Sequence, residues 1–137
     1  MADRDPDHWL YRFSSEEWLR AAGKELERAE SALRGKQQRM GVAGARRAAG
    51  MAWNAVLARA EDDAYRDAYG RSYMEHLHAL TRDAALPEPV RAAAEALVHA
   101  PLASAIVQLG PGDTRLADAA RTIVEHARRL AAPTATA

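Results

Sequence analysis

Apolar residues recur along most of this chain at spacings of three and four, the pattern of helices that bury one face. Residues 42–60, VAGARRAAGMAWNAVLARA, go further. Val42, Ala45, Ala49, Ala52, Trp53, Val56 and Ala60 form one stripe, and the opposite side carries Gly44, Ala48, Met51, Ala55 and Ala58 rather than charges. Only Arg46, Arg47, Asn54 and Arg59 interrupt the apolar surface. A helix that is apolar on several sides must be covered on several sides. This one is therefore expected at the centre of a bundle, with Gly41, Gly44 and Gly50 as points of close packing.

The flanking elements follow from caps and breakers. Ser14 and Glu17 have the S-x-x-E spacing of a capping box, which predicts a helix over about 15–34 with Gly35 as its stop. Its stripe is Trp18 or Leu19, then Ala22, Leu26, Ala29 and Leu33. Phe13 is placed to staple against the first turn, and Trp9 and Tyr11 are read as packing on the bundle. The central helix runs from between Gln37 and Gly41 to near Ala60. Tyr65, Tyr69 and Tyr73 recur every fourth residue, but Gly70 and a second S-x-x-E pair, Ser72 and Glu75, predict a loose turn through 62–71. A new helix then runs from Ser72 to about Asp83. Pro89 suits the first turn of a helix that Pro101 stops or kinks. LASAIVQL (102–109) reads as a short helix, because nothing else in the chain could pair with a strand. Gly110-Pro111-Gly112 is a turn, and Asp113 or Thr114 caps a last helix with the stripe Leu116, Ala120, Ile123, Ala127 and Leu130.

The sum is an all-α, up-down bundle of about five helices. An aromatic-rich lead-in covers 1–13, a single domain 14–131 and a disordered tail 132–137. Trp18, Leu26, Trp53, Val56, Leu77, Leu97, Ile123 and Leu130 are its expected core.

Composition narrows the chemistry. At 137 residues the chain is one domain by length and long enough to bury a core. Nineteen basic and 19 acidic residues give zero net charge, so no global field draws in nucleic acid or an anionic membrane. The bases are nearly all Arg, which with the many Ala residues reads as coding bias rather than phosphate recognition. The absence of cysteine removes disulfides, thiolate catalysis and zinc–thiolate sites together. MADRDPDHW is too charged for a signal peptide, and the longest uncharged run, 96–112, is broken by His99, Pro101 and Gln108. The expected address is cytoplasmic, with neither membrane nor DNA as a partner.

Candidate chemistry rests on histidine and arginine. Arg-x4–6-His is the signature of one helical RNase family, and three pairs fit it: Arg71 with His76, Arg71 with His78, and Arg121 with His126. Chance alone predicts roughly two at this composition, so the count carries no signal. Geometry ranks Arg71–His76 first. His76 would lie at the edge of its helix's apolar stripe, His78 would face water, and Arg121 would stand about 140° round the helix from His126. His76-Leu77-His78 cannot chelate one ion from a single helix, and no Gly-rich loop follows a strand. No metal and no cofactor is expected. Arg46 falls within about 20° of Trp53 and Leu57 on the wheel and so emerges from the apolar side. It is expected either to lie over Trp53 with its head reaching solvent or an acidic neighbour, or to anchor an anion or a partner protein. Arg46, Arg47, Trp53 and Asn54 are the candidate binding residues.

The order of these features resembles the HEPN superfamily of small all-α domains with an up-down four-helix core. EEWLRAAGKELERAESAL (16–33) matches the cadence of that family's first helix. ARRAAGMAWNAVL (45–57) is similar to its alanine-rich second helix without the usual lysine. RSYMEHLHAL, ALPEPVRAAAEALV and DTRLADAARTIVEHARRL occupy the places of its later helices. The family's histidine-aspartate-leucine tripeptide is not present as such, and LASAIVQLGPGD replaces its arginine-tyrosine-proline element. The resemblance implies an RNase, a binding partner of a minimal nucleotidyltransferase, or a catalytically silent relative. The missing elements favour silence or binding. The expectation is a non-catalytic interaction module, a homodimer or half of a complex with a separately encoded partner. The alternative is a metal-independent endoribonuclease using Arg71 and His76, with RNA the less favoured ligand.

Overall fold

The Ser14 hydroxyl accepts the Glu17 N–H at 3.1 Å, and the Glu17 carboxylate accepts the Ser14 N–H at 3.0 Å, so both halves of the capping box are made. In this computed structural model, which describes residues 9–100 and 113–132, helix α1 (Ser15–Arg34) starts there. Phe13 meets Trp18 edge-on, ring centroids 4.9 Å apart, as the staple one residue ahead of the cap. A 3-10 turn (Trp9–Arg12) precedes it, pinned by the Trp18 indole N–H, which donates to the Leu10 carbonyl at 2.8 Å. At its far end α1 closes in a Schellman motif: Gln37 N–H returns to the Ala32 carbonyl at 2.8 Å and Lys36 N–H to that of Leu33. The residue that takes the left-handed conformation is Lys36, at φ 65°, and not Gly35.

Helix α2 (Gln38–Arg59) is the centre of the molecule, packed against α1, the 3-10 turn and three later helices. Its small residues set the distance to α1. A methyl group added at Gly41 would fall on the Leu33 side chain, and one at Gly44 would meet Ala29 Cβ at 3.1 Å. Arg47 grips Glu25 at 2.7 Å and the Ser15 hydroxyl donates to the Ala55 carbonyl at 2.7 Å. Contacts that climb one helix as they descend the other make the pair antiparallel. Helix α6 (Arg115–Ala131) lies on the other flank, where Arg121 pairs with Glu30 of α1 and Arg59 donates to the Ala131 carbonyl at 2.7 Å.

The remaining helices cover α2 from the side. Asp62 caps a two-turn helix, α3 (Asp63–Tyr69), where the sequence predicts a loose turn. The Asp62 carboxylate accepts the Ala64 N–H at 2.9 Å, and packing of Tyr69 supplies the rest. Gly70, at φ 74° and ψ −163°, breaks the chain before α4 (Tyr73–Arg82). That conformation is open essentially to glycine alone, and a Cβ there would strike Glu75. Ser72 caps α4 by accepting the Glu75 N–H. Helix α5 (Glu88–Val98) carries Pro89 in its first turn and packs on α4 and α6. Asp113, not Thr114, serves the start of α6, taking the Arg115 N–H at 2.9 Å.

One continuous apolar cluster runs through these elements and includes Trp18, Leu26, Trp53, Val56, Leu77, Leu97 and Ile123. Leu130 is the exception at 49 % exposure. It stands at the edge of the α6 stripe in the last turn, where Ala127 and Ala131 take the inward positions. The expectations for Trp9, for 102–109, for the 110–112 turn and for the tail beyond 132 lie outside the described residues and side chains. Among the described residues there is no strand, and no helix is long and apolar enough to cross a membrane.

Candidate functional site

His76 is completely buried, inward of the stripe edge where helical geometry places it, because α3 folds over that side of α4. Its Nδ1 lies 2.7 Å from the Tyr69 carbonyl oxygen, and its Nε2 lies 2.7 Å from Asn54 Oδ1 on α2. The ring therefore links α2, α3 and α4. The Tyr69 carbonyl can only accept, so the neutral ring keeps its proton on Nδ1, and its bare Nε2 accepts from the Asn54 side-chain amide turned to present its NH2. Burial pushes the pKa of the ring down, while the Tyr69 carbonyl and, more weakly, the Glu75 carboxylate push it back up. Tyr69 in turn donates its hydroxyl to Asp83 at 2.5 Å. Burial, reinforced by that carboxylate, drives the phenol well above its ordinary range.

Arg71 is exposed, just ahead of the α4 cap, and among the described residues no hydrogen bond or ion pair joins it to His76. The two residues ranked first for catalysis are thus near in sequence but separated by the burial of one of them. His78 is exposed, as its wheel position predicts. His126 stacks on Trp53, centroids 6.4 Å apart and planes 9° apart, while Arg121 is engaged by Asp118 and Glu30. Burial and the Arg129 guanidinium lower the His126 pKa.

No family model, curated protein or solved structure matches the chain. The functional reading therefore rests on where the side chains lie. The four candidate binding residues point in different directions round α2. The Arg46 Nε donates to the Leu97 carbonyl at 2.9 Å and its Nη2 to that of Ala100, so this guanidinium closes the end of α5 and does not lie free over Trp53. Burial lowers its pKa. Arg47 is held by Glu25, and Trp53 is fully buried between Tyr69 and His126.

Asn54 borders a cavity. That cleft, about 350 Å³, is lined by Arg12, Trp18, Asn54, Arg71, Ser72 and Tyr73. It opens between the 3-10 turn, α1, α2 and the start of α4. A second cavity, about 400 Å³, lies on the other side of Arg71 and is bordered by Arg66, Asp67 and Glu75. Arg12 had no signal in the sequence, since tertiary packing of the 3-10 turn, with the Trp18–Leu10 hydrogen bond as one of its ties to α1, places it beside the start of α4. Among the described residues, no group of three His, Asp or Glu side chains is arranged to hold a metal ion.

Proposed function

We propose that this chain is a non-catalytic helical binding module of HEPN-like build, working as a homodimer or paired with a separately encoded protein such as a nucleotidyltransferase. The observation that supports the non-catalytic half is the burial of His76. A general acid or base has to come within hydrogen-bonding reach of the atom it protonates. Here the one histidine ranked for that role has both ring nitrogens engaged by interior groups, the Tyr69 carbonyl and the Asn54 side-chain amide. The pairing half rests on the resemblance, because α2, apolar all round, spends that surface inside its own bundle.

Two measurements test the reading. Single-stranded RNA incubated with the protein in EDTA is expected to remain intact. Cleavage that disappears in Arg71→Ala would overturn the non-catalytic half and restore the endoribonuclease alternative. Sedimentation at micromolar concentration, alone and with candidate partners, is expected to give a species heavier than the 14.9 kDa chain. A strict monomer under both conditions removes the pairing half.

A further inference from the structure

One end of the bundle gathers apolar and charged side chains that its own packing leaves uncovered. Helix α6 runs antiparallel to α1, with Arg121 at Glu30 and Arg128 so close to Gly23 that an added methyl would meet its Nη2 at 3.2 Å. The last turn of α6 therefore comes down beside the first turns of α1. Arg59 ties the last turn of α2 into the same corner by donating to the Ala131 carbonyl at 2.7 Å. Of the three large apolar side chains exposed among the described residues, two stand here, Phe13 at 38 % and Leu130 at 49 %. The third, Met40, is at the opposite end, in the first turn of α2.

A groove of about 650 Å³ opens in this end, bordered by Tyr11, Phe13, Glu16, Ala58, Arg59 and Glu61. Arg59 is already engaged by the Ala131 carbonyl, and among the described residues neither Glu16 nor Glu61 belongs to an ion pair. Aromatic walls with uncompensated negative charge suit a cation that carries an apolar stem. The neighbouring turn of α6 offers that chemistry in Arg128, Arg129 and Leu130, all exposed. Neither arginine pairs with a carboxylate among the described residues, and Arg129 makes one long hydrogen bond, to His126 Nδ1 at 3.4 Å. Groove and turn lie side by side in one chain and do not meet.

We propose that this end of the bundle is a self-association face, on which the groove of one copy receives the Arg128–Leu130 turn of a second copy. The inference rests on the homodimeric form of the proposed function and names the surface that form uses. A face that carries both halves is self-complementary under a two-fold rotation, so each contact is made twice and the assembly closes at two copies. Arginine and aromatic side chains are the groups enriched at such interfaces, and opposite charges round them fix the register. The exposure of Leu130, at the edge of an otherwise buried stripe, then has a cause: its cover is the other copy.

The test is sedimentation velocity of the full chain over a micromolar concentration series, at low and at high salt. The wild type is expected to form a dimer that weakens as salt rises. Glu16→Arg with Glu61→Arg, and separately Arg128→Glu with Arg129→Glu, should each raise the dimer Kd about tenfold or more, because attraction becomes repulsion at both symmetric contacts. All four positions are exposed, so both variants should keep a helical spectrum and a cooperative melt. Mixing the two variants should restore association. Each basic groove then meets an acidic turn, and each acidic groove a basic one, a rescue that a folding defect could not give. A dimer that neither variant weakens, or variants that stay apart when mixed, overturns this face and leaves the homodimer itself standing. A wild type that is monomeric throughout the series removes both.

Discussion

Trp53 and His76 show how single residues carry this fold. Trp53 is fully buried, with Tyr69 and His126 against its ring. Trp53→Ala removes that volume from a place where the helices cannot collapse, and should cost on the order of 3–5 kcal/mol in urea unfolding. A loss below about 1 kcal/mol would contradict a central position for this ring. His76 predicts a pH dependence with a definite sign. Its folded pKa lies below the ordinary 6.5, so the unfolded chain takes up the proton first as the pH falls. Stability contributed by the neutral ring is complete above about pH 6.5 and is lost between there and the folded value. His126 shifts the same way, so both act in one window. The depressed carboxyls of Glu17 and Asp113 act at lower pH, starting from 4.5 and 3.8. Urea melts from pH 8 to 5 should show stability falling below pH 6.5, with a shallower fall in His76→Gln. Stability that rises on acidification would contradict the direction.

At the level of the element, the ends of helices were the most legible part of the sequence. The Ser14–Glu17 box, the Ser72 cap and Pro89 all act where spacing places them, because each satisfies orphan N–H groups, or lacks one, within its own first turn. The C-terminus of α1 is subtler. Gly35 predicted the stop, yet the positive φ falls one residue later, on Lys36. A side chain in that region costs about 1 kcal/mol relative to glycine. Lys36→Gly is therefore expected to stabilise the protein by about 0.5–1 kcal/mol, read as a rise of a few degrees in Tm. An unchanged or lower Tm would mean that unfolded-state entropy outweighs the relief. Helix α3 was missed for the opposite reason. Seven residues give little intrinsic helicity, and beyond the Asp62 cap it is docking of Tyr69 against Trp53 and Asp83 that holds them helical.

For the whole molecule, the order of stability should follow the packing. Helix α2 is covered on every side, whereas α3 touches mainly α4. Native-state hydrogen exchange should therefore find the slowest amides in α2, opening with the global unfolding, and the fastest helical amides in α3. Equal protection in the two would show that α3 is part of the central cooperative unit. The closing of the bundle also explains Arg46, whose position on the apolar side looked anomalous. It reaches the carbonyls at the end of α5, so a charge among apolar neighbours is spent on orphan acceptors of another helix.

Period and caps are local properties, and they determined the all-α class, every described α-helix but α3, the central place of α2 and most of the core. They act between residues a few positions apart, where one helical geometry decides the neighbours. The cleft is a different matter. Arg12, Asn54 and Arg71 border one space through tertiary packing, in which the Trp18 indole holds the 3-10 turn and Gly50 lets Tyr73 of α4 lie directly on α2. The same tertiary packing buries His76 beneath α3 and takes it away from Arg71. No spacing encodes such encounters, because contact between distant segments depends on how whole helices dock, and docking is settled by the shapes of many side chains at once.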